Sequence, residues 1–223
     1  MADFRTHLGV AAAGGAVVAH GGWQAGLWEA WQALPMLALV TFGGILPDLD
    51  ADRSRAIRLI FNLLAVPAVV AGALLLQSRL AIGPLLLACG GIYLAVRYLA
   101  GALFARFTVH RGLWHSLLAA GLCGLVTAAL SQRLFAQPDS LAWAHGVAVA
   151  LGFVIHLTLD ELYSVDLTGA RIKRSFGTAL KPFDWRSPGN SLVMLLAAVN
   201  LLPWLPAWPP LWALLAQGSA LWR

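Results

Sequence analysis

The chain is poor in charge. Of its 223 residues, 15 are Lys or Arg and 10 are Asp or Glu, 11% in all. Soluble domains carry roughly a quarter, so composition places the protein far outside that class. Cysteine is scarce too. Cys89 and Cys123 both sit inside apolar runs, where they read as small packing residues and say nothing of redox compartment. There is no internal repeat, no low-complexity tract, no inter-domain linker, and no polar stretch long enough for a separate soluble domain. The alternating strands of about ten residues that build a transmembrane barrel are missing.

What is present is apolar length. Hydrophobic residues make up 60% of the chain, mean hydropathy is +0.75, and several runs approach the roughly 20 residues that a helix needs to cross a bilayer. The pattern predicts an all-α fold, a polytopic transmembrane helical bundle in which residues 1–223 form a single integral membrane domain. The expected spans are seven: Leu8–Gly22, Trp31–Leu46, Ile57–Gln77, Ile82–Ala105, Leu113–Leu130, Leu141–Leu159 and Ser191–Leu205, followed by a short C-terminal apolar helix over Pro209–Trp222. The first run imitates a signal peptide, with Arg5 as its charged start and "AVVA" as a cleavage site. Its weakly hydrophobic, glycine-rich core suits close helix packing instead.

Charge then orients the bundle. With a cytoplasmic N-terminus, Arg5, Arg53, Arg55, Arg58, Arg106, Arg111, Arg171, Lys173, Arg174, Lys181 and Arg186 fall inside, while Arg79 and Arg133 fall outside. This predicts an integral membrane protein with a cytoplasmic N-terminus and accounts for the net charge of +5 without a nucleic-acid partner. Membrane lipid is the expected partner. Trp23, Trp28, Trp31, Trp143, Trp204 and Trp208 would form an aromatic belt at the outer surface. Arg97, within the fourth span, either snorkels inward or pairs with a buried acid.

The polar residues sort by the same topology. His7 falls at the inner end of the first span, Asp48 and Asp50 of "GGILPDLD" at that of the second, His110 and His115 of "HRGLWHS" at that of the fifth, and His156 and Asp160 of "HLTLDE" at that of the sixth. His20 and His145 fall at the outer surface. Charged groups near hydrocarbon are costly and usually functional. His156 and Asp160, four apart, share a helix face and can grip one ion. Pro47 disfavours helix at Leu46, which would leave Asp48 and Asp50 in extended or turn backbone with side chains pointing one way. Gly112 offers a break that places His110 in a loop and His115 in the first helical turn. A catalytic zinc takes about three protein ligands, so these seven candidates suit two or more ions of a divalent transition metal, zinc ahead of manganese or iron. The plainer alternatives are a capping turn for His110 and His115, a helix-end turn for Asp48 and Asp50, a satisfied polar pair for His156 and Asp160, and an ordinary N-terminal residue for His7.

Thr6-His7, "GGILPDLD", "HRGLWHS" and the segment from Gly152 to Trp185 together resemble the YdjM-type family of inner-membrane proteins, described as membrane-bound metal-dependent hydrolases. The resemblance implies a metal site, and through a distant similarity to zinc phospholipase C and nuclease P1 enzymes it implies phosphodiester chemistry. Trp114 departs from the pattern, standing where a small or polar residue, often Thr, is expected.

Two function classes follow. In a membrane-embedded metal-dependent hydrolase, the site would cleave an ester or phosphoester of an amphipathic, lipid-linked substrate at the cytoplasmic face. Arg111 would hold the phosphate, and Asp52 or Glu161 would take the proton. Arg111 fits equally a positive-inside anchor, and Asp52, Glu161 and Asp166 fit solvated or arginine-paired acids. The alternative is a divalent-cation transporter or a metal-stabilised scaffold built from the same ligands. Transporter sites lie near the midplane between repeats, and no repeat is visible here.

Overall fold

The computed structural model describes residues 3–50, 55–102, 113–166, 171–172 and 177–220. Among these the regular structure is helical apart from one antiparallel pairing of Val165–Asp166 with Arg171–Ile172. Two compact units emerge, Met1–Pro47 with Gly112–Arg223, and Asp48–Arg111.

In the first unit, helix α1 (Phe4–Gln24) starts four residues before the apolar run. Its N-cap, Asp3, accepts from the Thr6 backbone N–H at 2.8 Å and from the Thr6 hydroxyl at 2.6 Å, a polar signal that hydropathy alone misses. Its buried stripe is His7, Ala11, Gly15, Ala19 and Gly22, one helical face of small residues with a histidine at the N-terminal end. A 3₁₀ turn (Ala30–Gln32) leads into α2 (Ala33–Gly43), and a second 3₁₀ turn follows over Leu46–Asp50. The backbone after Pro47 is therefore a tight turn and not an extended segment. Its three-residue period does not align Asp48 with Asp50 as an extended strand would.

The unit continues with α5 (Leu117–Arg133), α6 (Asp139–Leu162), α7 (Pro188–Asn200) and α8 (Trp208–Ala220). Helix α6 is the centre, packed against α1, α2, α5 and α8 and buried from Leu141 to Asp160. Glycines let its neighbours approach backbone to backbone. A Cβ on Gly146 would stand 2.6 Å from the Gly124 carbonyl of α5, and one on Gly152 would collide with the Val40 carbonyl of α2. Trp143, expected in an outer aromatic belt, is instead 3% exposed in a core cluster with Ala128, Ala129 and Leu205. Its indole N–H donates to the Ala207 carbonyl at 2.8 Å, so both its apolar body and its polar tip are satisfied inside.

The second unit pairs α3 (Arg55–Leu76) with α4 (Ile82–Leu94), which runs on as a π-helical segment over Ala95–Ala100. The Tyr93 hydroxyl donates to Asn62 Oδ1 at 3.3 Å. Helix α4 buries no residue, and Leu86 and Leu87 are 64% and 79% exposed. The Arg97 guanidinium stands over the Tyr98 ring, 5.0 Å from its centroid.

Among the described residues, four helices are long and apolar enough to cross a membrane: Ala30–Asp48, Leu59–Leu76, Ile82–Ala100 and Asp139–Leu162. A fifth span is added if Pro188–Trp204 and Trp208–Gly218, bent by 106°, act as one broken span or re-entrant loop. Among the described residues, length and composition support four or five spans of the seven expected. The last two apolar runs are joined by a sharp bend, Leu117–Arg133 is a shorter apolar helix, and α1 is diluted by Gly, Ala and two histidines.

Candidate metal centre

Four of the predicted ligands meet inside the first unit. His7 comes from the first turns of α1, His115 from the bend before α5, and His156 and Asp160 from consecutive turns near the end of α6. All are buried, with relative exposures between 0% and 2%. The Asp160 carboxylate is the hub. His7 Nε2 lies 3.2 Å from its Oδ1, while His115 Nε2 and His156 Nε2 lie 3.7 and 3.8 Å from its Oδ2. The His7 and His156 rings stack with centroids 3.7 Å apart and planes 10° from parallel, and the His115 ring meets His156 edge-on at 5.9 Å.

Local structure explains each placement. Ser116 is the N-cap of α5: its hydroxyl accepts from the Ala119 N–H at 3.2 Å and donates to the Leu113 carbonyl at 2.7 Å. Helix α5 thus begins at Leu117, and His115 precedes the cap instead of sitting in the first turn. His156 Nδ1 is 2.7 Å from the Gly44 carbonyl. A carbonyl can only accept, so Nδ1 carries the proton, and in the neutral ring Nε2 presents its lone pair toward Asp160. Trp114 donates from its indole N–H to the Leu46 carbonyl at 2.7 Å and lies edge-on to Phe153 at 6.3 Å. Trp114 therefore ties the loop before α5 to the 3₁₀ turn after α2.

The donor set fits a cation. One ligand atom each from His7, His156 and Asp160 lies within 4.8 Å of the others. Both ring nitrogens of His7 and both Asp160 oxygens are buried without a hydrogen-bond partner among the described residues. At 3.2 Å, His7 Nε2 and the Asp160 carboxylate stand at ion-pair distance. A carboxylate buried among imidazoles is stabilised by positive charge, which a protonated ring or a bound cation supplies.

The other predicted residues are placed differently. Asp48 is half-buried at the start of the second unit. His110, Arg111 and Asp52 lie outside the described residues, as does the side chain of Asp50. Glu161 turns away from the cluster. Its Oε1 accepts from the Gly177 N–H and its Oε2 from the Ala179 N–H at 3.2 Å, so the carboxylate holds the loop after the β pairing. That loop then supplies the Lys181 and Pro182 carbonyls to the Leu117 and Leu118 N–H groups, at 2.9 and 3.0 Å, closing the first turn of α5. The Gly44 carbonyl and the Trp114 indole are the functional groups that residue types alone do not single out. The glycine pair Gly43-Gly44 ahead of Pro47 is the signal that marks a close approach there.

The family that matches the chain is described as YdjM inner membrane protein, over residues 1–221. No curated protein matches the chain, and no solved structure does.

Proposed function

The chain belongs to the YdjM inner membrane protein family, and from that footing we propose that it is a membrane-embedded metal-dependent hydrolase. The observation that carries this reading is Asp160, a buried carboxylate with three imidazole Nε2 atoms 3.2–3.8 Å away. His7, His115, His156 and Asp160 are the ligands for a divalent transition metal, zinc by preference. A second ion would draw on Asp48, Asp50 and His110. A divalent cation there supplies Lewis acidity to an ester or phosphoester.

The chain's own groups do the rest. The Gly44 carbonyl fixes the His156 tautomer, the Ser116 cap fixes the approach of His115, and Trp114 holds the 3₁₀ turn after α2 against the loop that carries it. Arg111 is the candidate for the substrate phosphate and Asp52 for the proton. Glu161, engaged with loop amides, serves as an anchor. The cluster lies where α1 begins and α6 ends, which favours an amphipathic substrate whose scissile bond sits at the headgroup level.

Metal content by plasma mass spectrometry on detergent-purified wild type and Asp160→Ala tests the reading, followed by a screen of lipid phosphoesters. Stoichiometric metal lost in the variant, with turnover lost in parallel, is the expected result. A folded, chelator-free wild type that holds no metal and takes none up would overturn it.

A further inference from the structure

The opposite end of the first unit contains a cavity of about 840 Å³ between α1, α6 and α8. This is within the roughly 300–1,000 Å³ of small-molecule sites. Its walls run along helices. Ala144, Val147, Ala148 and Leu151 form one face of α6, Leu214 and Gly218 form a four-residue step on α8, and Val17 and Gly21 form another on α1. The space is therefore drawn out along the helix axes, by about 10 Å on α6 alone. It is lined almost wholly by apolar groups. Water gains little in such a cavity, and a polar ligand buried there would lose its hydrogen bonds.

Two features tell what fills it. Val17 lines the cavity and is also 63% exposed, so the lining continues without a break onto the outer apolar surface of an inner-membrane protein. At one end stand His20 and Gln24, one helical turn apart on α1 and both exposed. The other polar group nearby is already used, since the Trp28 indole N–H donates to the Ala19 carbonyl at 3.0 Å. We propose that this cavity binds one acyl chain of a membrane phospholipid, with the headgroup at His20 and Gln24. The site is separate from the His/Asp cluster and holds whether or not that cluster binds metal.

The test uses full-length protein in nanodiscs of phosphatidylethanolamine and phosphatidylglycerol, doped with a phospholipid that carries a diazirine on its acyl chain. Photoadducts are then mapped by peptide mass spectrometry. Val147 and Leu151 line the cavity from α6 and are half-buried, so a chain inside it touches both. In Gly21→Trp the new side chain starts from a lining position whose Cβ meets nothing within 4 Å and takes up cavity space; Gly90→Trp on α4, whose Cβ is equally open, is the matched control. The expected result is labelling at Val147 and Leu151 in wild type and in Gly90→Trp, falling about tenfold in Gly21→Trp. Labelling confined to the exposed Leu86 and Leu87 of α4, labelling at Val147 and Leu151 that Gly21→Trp leaves unchanged, or crosslinks joining two copies through this face would each overturn the proposal. The wild-type result stands even if a variant fails to fold.

Discussion

Gly152→Ala is the sharpest perturbation of the candidate centre, although Gly152 touches no ligand directly. A Cβ at this position would collide with the Val40 carbonyl and approach the Gly44 nitrogen to 2.8 Å. Both neighbours are backbone, so relief requires α2 to move off α6. Overpacking of this kind costs about 1–3 kcal/mol. The displaced segment carries the Gly44 carbonyl that holds His156 at 2.7 Å, and losing such a bond adds about 0.5–1.5 kcal/mol. Together these predict roughly 2–4 kcal/mol of destabilisation and a melting temperature lower by roughly 5–15 °C for a chain of this size. Because the Gly44 carbonyl orients a ligand from behind, metal affinity should fall by about 10–100-fold. Gly9→Ala is the control: its Cβ meets nothing within 4 Å, and helix propensity predicts a gain of up to about 1 kcal/mol. Thermal unfolding in detergent and competitive metal titration read the two effects separately. A Gly152→Ala variant with wild-type melting temperature and wild-type metal affinity would refute both the close α2–α6 approach and the orienting role of Gly44.

Other outcomes follow from the same contacts. Chelator should lower the melting temperature of wild type but leave Asp160→Asn unmoved, since the variant removes the buried carboxylate that needs a cation; equal chelator sensitivity in the two would count against the centre. Glu161→Gln should raise hydrogen exchange at Gly177 and Ala179 while metal content stays at the wild-type level, whereas metal loss without loop exchange would make Glu161 part of the site. Hydrogen bonds from the Thr6 side chain and backbone hold the Asp3 carboxyl below its usual value. Its contribution to α1 is therefore complete above the unfolded carboxylate value and lost as pH falls through the lowered folded one. Amide exchange at Thr6 should rise over that acid window in wild type and be pH-independent in Asp3→Ala, once intrinsic rates are removed.

Apolar length announced the helices well, because burial in lipid and burial in a helical core both demand unbroken runs. It placed α3 and α6 within three residues at each end, and the start of α4. It failed where a polar contact decides the boundary. Asp3 lengthens α1, Ser116 delays α5, and neither bond carries a hydropathy signal. The grouping of His7, His115, His156 and Asp160 was legible because each stands at the end of an apolar run, and the i,i+4 spacing of His156 and Asp160 sets one face. The direction of Glu161, one residue further on, was not legible. A carboxylate beside a candidate ligand reads as a candidate proton acceptor until the loop that occupies it is seen. Trp143 misled for a related reason: position along the chain gives depth in the membrane, not which face of the helix looks inward.

The buried stripe of α1 links packing to chemistry. Ala11, Gly15, Ala19 and Gly22 let α1 lie against α2 and the Trp28 ring with almost no side-chain volume between them. His7 continues that stripe by one more turn, so the register that buries the glycines also drives the imidazole into the core. The helix cannot rotate to release His7 without swinging the small residues out of contact and inserting Val10 or Val17, both of which now face outward. The packing that holds His7 in place is thus spread over about four turns of small-residue contact along α1. Packing remote from the His/Asp cluster therefore sets where the His7 ring stands.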